Sequence, residues 1–433
     1  MAPWMTTVGA TAMDQLFSAN LMLGNEEVLI GQSLYTKKAK RTGMAPLVWL
    51  RSCDGEGDFS PNVVMGKIVM CLNFVGAYES ILVQNASGTE IVAVDGVEWH
   101  ADEVSAMPFT LSVLTLGSSK SMKLRAYMSS VANLVALFSF ACGTITSETQ
   151  TPTVVGFSSR GPNQIIPKLL KPDVVVSGLN ILAAWPNNVP LSIIDMDTRR
   201  SEYNILSRTS MACPHTVGVA MLIKKKHGNW TPAMVRSVMM MTAGMLDNNS
   251  RDIFDESVQR AGTNFTSVNP LAVGAVHICP QLAMDPGLVY DADVQDYVDF
   301  LYSLNYTTKQ LRVFTPDLAG CRRKLLGGPA NLNYPSFVVV FDGHTRIRKL
   351  TWTVMKVYEE PETYNMTVAA AAGVKVTVKP TTLEFKEKNE MRSYTVEFRS
   401  KAGGHVAAQD FGQISWENRK HRVRSHVVFT WKD

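Results

Sequence analysis

The sequence predicts an α/β domain that carries a β-rich insert and is followed by an antiparallel β-sandwich. Three observations predict it: mixed helical and buried-strand patterns over residues 1 to about 45 and 151 to about 330, short β-rich runs between those segments, and strand patterns alone after about residue 331. A chain of 433 residues with 46% hydrophobic content is long enough for two or three such units, each with its own core.

The insert is marked by G-K-I-V-M-C-L (Gly66 to Leu72), E-I-V-A-V (Glu90 to Val94) and P-F-T-L-S-V-L (Pro108 to Leu114), separated by Gly, Asn and Asp turn residues. In the second α/β segment, the pattern from Arg208 predicts a helix beginning near Ser210, with Cys213, Val217, Ala220, Met221 and the stem of Lys224 on one face. Pro214 is expected in its first turn, where a missing N–H does no harm, and Gly228 after its last. Lys224 to His227 place positive charge at the negative end of the helix dipole.

A second helix is predicted at once, with Thr231 as N-cap, Pro232 at the first helical position, and Met234, Val235, Val238, Met239 and Met241 as its apolar positions. Beyond residue 331, K-L-T-W-T-V-M-K-V, V-K-V-T-V, R-S-Y-T-V-E-F, F-G-Q-I-S-W and R-V-R-S-H-V-V-F alternate in the manner of sandwich strands.

Composition narrows the function. With 42 Lys+Arg against 38 Asp+Glu, the net charge of +4 is too small and too evenly spread for a nucleic-acid partner. The longest apolar run, Val131 to Ala141, falls short of the ~20 residues that span a bilayer, so no membrane helix is expected. Six cysteines without C-x-x-C spacing suggest one or two disulfides, no metal and no cofactor. The opening residues lack a basic n-region followed by an apolar stretch, so no signal peptide is expected in this chain. Six Asn-x-Ser/Thr sequons, at Asn85, Asn229, Asn248, Asn264, Asn305 and Asn365, lean towards a secretory origin.

Ser210 is the candidate for chemistry. A serine at a helix N-terminus can aim its own N–H at a developing oxyanion, and the dipole favours negative charge there. A simple N-cap is the commoner role for such a serine.

The flanking residues decide between these roles. T-S-M-A-C-P-H (Thr209 to His215) resembles the nucleophile signature of the plant-type subtilisin-like serine proteases, the subtilases. F-S-S-R-G-P-N (Phe157 to Asn163), L-K-P-D-V-V-V-S-G-L-N-I-L-A-A-W (Leu170 to Trp185), A-M-D-P-G-L-V-Y-D (Ala283 to Asp291) and L-N-Y-P-S-F (Leu332 to Phe337) resemble further family segments in the same order.

The resemblance implies a subtilisin-like catalytic domain over residues 1–45 and 151–330, a protease-associated insert over 46–150, and a fibronectin-III-like domain over 331–433. It also implies an extracellular serine endopeptidase acting on peptides or proteins, with Ser210 as nucleophile and a disulfide between Cys53 and Cys71.

In the family the order is Asp, then His, then Ser, with an oxyanion asparagine before the insert. Ala2 to Thr11 resembles the stretch just after that asparagine, so the chain is expected to be a C-terminal portion, starting downstream of all three groups and inactive on its own. Such a portion would leave apolar surface uncovered and strand edges unpaired. His215, five residues after Ser210, is expected to be structural, and no spacing suggests a rebuilt triad from His100 or His277 with Asp173 or Asp285.

Several positions depart from the family pattern. Arg208 and Val276 stand where the family has glycine, Val175 to Gly178 replaces an Ala-Pro-Gly turn, and Tyr302 stands where a partner for Cys321 would be sought. The departures at Arg208 and Val276 support an alternative reading as a non-catalytic pseudoprotease that binds peptides or protein partners. An α/β-hydrolase is excluded because its G-x-S-x-G elbow would need Gly at 208 and 212, where Arg208 and Ala212 stand.

Overall fold

The computed structural model describes every residue except 1, 36–42, 51–52, 54–58, 72–75, 95–101, 103, 141–143, 147–149, 256–267, 318–319, 343, 402–407 and 433. His100, Cys142 and Asn264 lie outside the described residues.

Strand β1 (Val8–Thr11) opens the α/β part and pairs in parallel with a strand far downstream, from Val8 opposite Val174 to Thr11 opposite Ser177. Between the two, the chain leaves to form a closed barrel of seven strands: β2 (Ser18–Leu23), β3 (Val28–Gln32), β4 (Ala45–Leu50), β5 (Ile68–Cys71), β6 (Glu90–Val94), β7 (Ser112–Leu116) and β8 (Val135–Phe140), in the order β2-β3-β7-β6-β5-β4-β8. Helices α1 (Pro61–Val64), α2 (Ala77–Asn85) and α3 (Ser118–Ser130) accompany it.

The β-rich insert is thus present, but its first two strands come from residues 18–32, inside the segment expected to belong to the α/β domain. Ser18 to Gln32 group with the α/β segment in the sequence because nothing in their alternation says which sheet they join. The middle strands are apolar on both faces because both are covered: Ile68 and Met70 face the barrel interior, while Val69 and Cys71 face a second cluster with Val83 and Phe109. Cys53 and Cys71 form a disulfide.

The chain then returns through β9 (Val174–Ser177), the strand paired with β1. Gly9 is required there, since a Cβ would lie 2.8 Å from Ser158 Oγ and 2.9 Å from Val175 Cγ1. The outer edge of β1 is not open along its second half: Ala12 N–H donates to Thr153 O at 2.8 Å and Val155 N–H to Ala10 O at 3.3 Å. The expectation of unpaired strand edges is corrected to that extent.

Strands β10 (Ile181–Ala184) and β11 (Tyr203–Leu206) form an antiparallel ribbon leading into α4 (Thr209–Lys226) and α5 (Pro232–Met241). Helix α5 is buried on every side, and Thr231 caps it by accepting Met234 N–H at 3.1 Å. The core of this part gathers Ala10, Val174, Val176, Ala212, Ile223, Val238 and Met239. Short helices α6 (Pro270–Val273) and α7 (Pro280–Ala283) follow. Val276, between them, has φ +86°, a conformation that is a genuine outlier for a β-branched residue.

Strand β12 (Leu288–Val289) precedes α8 (Val294–Ser303) and α9 (Thr308–Leu311). The sandwich comprises β13 (Ser336–Phe341), β14 (Ile347–Lys356), β15 (Glu362–Ala369), β16 (Val374–Lys379), β17 (Thr382–Phe385), β18 (Met391–Ser400), β19 (Gln409–Glu417) and β20 (Arg422–Trp431). Its sheets run β12-β14-β18-β16 and β13-β20-β19-β15-β17. Pairing is antiparallel as expected except for β13 with β20, which is parallel.

A buried polar cluster ties the parts together. Lys171 Nζ donates to Asp173 Oδ2 at 2.6 Å, to Met5 O at 2.8 Å and to Tyr334 Oη at 2.9 Å, and Tyr334 donates to Asp173 Oδ1. Burial lowers the Lys171 ammonium below its usual range against the opposing pull of Asp173, and burial together with Asp173 raises the Tyr334 phenol. Tyr334 stands just before β13, so the sandwich supplies one member of a cluster that also fixes β9.

Candidate active site

Strand β11 runs through Ser207 and Arg208 into α4. Arg208 takes the N-cap position with extended backbone (φ −168°, ψ 163°) and no side-chain capping bond, a conformation open to any residue. Its N–H donates to Gly178 O at 2.9 Å. Glycine at 178 permits this approach, because a Cβ would lie 2.8 Å from Ala10 Cβ and 2.9 Å from Arg208 O. The Arg208 side chain is exposed and makes no ion pair among the described residues.

Ser210 is the second residue of α4 and is exposed. Among the described residues, no hydrogen bond engages its hydroxyl or its N–H. Both groups point away from the core at the positive end of an eighteen-residue helix, where negative charge is stabilised. At the other end, Lys224 Nζ donates to Trp230 O at 2.7 Å, and Lys226 Nζ and His227 Nε2 donate to Met284 O at 3.0 and 3.2 Å.

Two expectations about α4 need correction. The helix starts at Thr209, so Pro214 lies in its second turn and leaves the Ser210 carbonyl without its usual partner four residues on. Of the predicted apolar face, Ala220 is half-buried and packs against the core, but the rest does not turn to it: Cys213 and Lys224 are exposed, and Val217 and Met221 are 56% and 67% exposed. The buried residues are Ala212, Thr216 and Ile223, on a neighbouring strip of the helix. Helical spacing finds both apolar stripes, and periodicity alone does not rank them.

The other titratable residues weighed from the sequence are engaged elsewhere. His215 Nδ1 donates to Ser177 O at 3.0 Å, tying α4 to the end of β9. His277 is half-buried with its Nε2 enclosed, and this desolvation lowers its pKa; its Nδ1 donates to Ile278 O at 3.2 Å and its Nε2 has no partner among the described residues. Asp173 belongs to the Lys171 pair, and Asp285 lies 3.4 Å from His421 Nε2. Cys321 is a free, exposed thiol. The structure therefore assembles a helix-borne hydroxyl and N–H without bringing a histidine or carboxylate into contact with them among the described residues. Sequence reasoning missed Asn180 and Ser207, which stand directly behind this turn; the one available signal was their position within or beside matched segments.

Comparison with known proteins accounts for the whole chain. Residues 74–273 match the model of the subtilase family and residues 331–429 that of a fibronectin type-III domain. The chain is 36% identical over 450 residues to the subtilisin-like protease SBT1.6 of Arabidopsis thaliana, covering 100% of this chain and 58% of that protein. It is 36% identical over 442 residues to SBT1.7 (100% and 57%) and 37% identical over 458 residues to SBT1.5 (99% and 58%), both from the same plant. The chain thus spans little more than half the length of these relatives.

Proposed function

Because this chain belongs to the subtilase family, we propose that it is the nucleophile-bearing part of a secreted subtilisin-like serine endopeptidase. Ser210 Oγ attacks the scissile carbonyl carbon of a peptide, its proton passes to a histidine base, and the amine leaves with that proton as the acyl-enzyme forms. The Ser210 N–H and the α4 dipole stabilise the oxyanion. The observation that carries this reading is Ser210 at the second position of α4 inside T-S-M-A-C-P-H, exposed and with its N–H unengaged among the described residues.

Among the described residues no histidine or carboxylate touches Ser210, so this reading requires an acid, a base and a second oxyanion donor from segments like those in the part of the relatives' length that this chain does not cover. The barrel is read as the protease-associated insert. Its Cys53–Cys71 disulfide suits an oxidising compartment.

A second reading, a peptide-binding pseudoprotease, is favoured by one observation. Val276 holds a positive φ where family resemblance places glycine, a strain that selection for a tightly ordered site would remove.

A fluorophosphonate probe separates these readings. The chain alone should stay unlabelled, and refolding it with a polypeptide carrying a relative's Asp, His and Asn segments should restore labelling that Ser210→Ala abolishes. Labelling of the chain alone would show a complete site within residues 1–433. Failure to label in the refolded mixture, with binding of the added polypeptide demonstrated, would support the pseudoprotease.

A further inference from the structure

We propose that Asn180 is a positioning residue through which the inserted barrel sets the geometry of the turn presenting Ser210. The inference takes its functional meaning from the reading of Ser210 as nucleophile, whereas the coupling itself rests on contacts.

Asn180 lies two residues past Gly178, is 2% exposed, and has left-handed backbone (φ +55°). Asparagine is one of the few side chains that tolerate this conformation. Its contacts divide between two bodies. Towards the barrel, its Oδ1 accepts Ala106 N–H at 2.8 Å and its Nδ2 donates to Gln32 Oε1 at 3.1 Å. Towards the nucleophile, its backbone N–H donates to Ser207 Oγ at 2.8 Å, and Ser207 Oγ donates back to Asn180 Oδ1 at 3.1 Å.

The relay continues into the barrel. Gln32, at the end of β3 and 5% exposed, donates from Nε2 to Val104 O at 3.0 Å and accepts Phe17 N–H at Oε1 at 3.3 Å. Three backbone positions of the barrel, at Phe17, Val104 and Ala106, therefore reach Ser207 through the two buried amides of Gln32 and Asn180. Ser207 lies three residues before Ser210, and the intervening Arg208 N–H is held by Gly178 O. Apolar side chains of the same volume would fill this space but would not fix the turn's orientation, because dispersion is non-directional and buried hydrogen bonds are not.

A second bolt joins the same bodies. Arg199, gripped by Asp197 at 2.7 and 2.9 Å, donates from Nη1 to Phe109 O at 2.6 Å and from Nη2 to Pro108 O at the foot of β7. It lies in the loop between β10 and β11, while Asn180 holds the opposite, open end of that ribbon, where β10 begins and β11 ends. The barrel thus holds the ribbon that delivers Ser210 at two separated points, and Asn180 is the one in direct contact with the nucleophile's turn.

The test is residue-resolved hydrogen exchange on the full chain, which needs no catalysis. Gln32→Ala, inside the barrel, should speed exchange of the Arg208 and Met211 amides about tenfold, the weight of about one buried hydrogen bond, while leaving the Leu222 to Lys226 amides at the wild-type rate. Ser207→Ala should do the same and also speed the Ala106 amide in the barrel. Ser207→Thr, which keeps the hydroxyl, should restore wild-type exchange at all three.

Wild-type exchange at Arg208 and Met211 in Gln32→Ala, or equal acceleration along the whole of α4, would overturn the proposal. If Gln32→Ala unfolds the barrel, the contrast between the Ser207 variants at the Ala106 amide decides alone. Failure of this coupling would leave the labelling experiment on Ser210 untouched, and a failure to label would leave the exchange pattern unchanged.

Discussion

The two faces of α4 should respond to substitution in opposite ways. Met221 is 67% exposed, so only about a third of its surface has left water. Complete burial of a methionine contributes roughly 1.5–3 kcal/mol, so the share realised here is at most about 1 kcal/mol. Lysine has nearly the helix propensity of methionine, and its stem covers the same neighbouring surface. Met221→Lys should therefore cost about 0.5 kcal/mol or less. Ile223, two residues on, is fully buried in the core cluster that also holds Val235 and Met239. Ile223→Ala should cost about 2–5 kcal/mol, the transfer loss plus the cavity left behind. Urea denaturation followed by far-UV circular dichroism gives both numbers. Binding of a hydrophobic dye should fall in Met221→Lys and not in Ile223→Ala. A cost of 2 kcal/mol or more for Met221→Lys would mean that the outer face is covered, and would refute the reading of α4 as a helix with one uncovered apolar side.

Two further outcomes follow from buried polar groups. Tyr334→Phe removes the acceptor for Lys171 and the donor to Asp173; hydrogen bonds to charged groups contribute about 1.5–3 kcal/mol each, so a loss of about 2–4 kcal/mol in calorimetry is expected, and a change under about 0.5 kcal/mol would count against the cluster as a strut. His426 is buried on β20, and burial, reinforced by Arg424, lowers its pKa to about 4. The unfolded chain, with an ordinary histidine near 6.5, then binds the proton first, so stability is full above that pH and is lost as pH falls towards 4. His426→Leu should reduce the acid-induced loss between pH 7.5 and 4 by on the order of 3 kcal/mol, measured by urea midpoints, and identical losses in both proteins would sink the idea.

Much of this architecture was legible in the residues, for reasons that are local. The helix of Pro232 to Met241 announces itself by an N-cap threonine, a proline at the first position and apolar residues at Met234, Val235, Val238, Met239 and Met241, and each behaves as written, although the buried Arg236 and Ser237 were not foreseen. Strands such as β14 and β18 alternate because each has one wet face, whereas β13 and β20 are covered on both, Val338 and Val428 packing with Leu170 and Leu271. What escaped was non-local. Ser18 to Gln32 belongs to the barrel because Ser18 to Leu23 also pairs with Val135 to Phe140, more than a hundred residues away. The buried side of α4 was misjudged because both sides are apolar, and only the position of β1 and β9 distinguishes them. At the site, Ser210 was visible through its motif, whereas Asn180 acquires meaning only when Gln32, Ala106 and Ser207 converge on it.

Strand β12 alters what counts as a unit in this protein. Leu288 and Val289 pair with Lys356 and Met355, and Met241, Leu288 and Tyr290 sit within the sandwich core. The chain's formal boundary near residue 331 therefore does not coincide with a physical seam. A recombination event or a protease cut between residues 291 and 330 would not release two self-sufficient modules. It would strip an edge strand from one and leave its apolar residues stranded on the other, so neither part keeps a complete core alone.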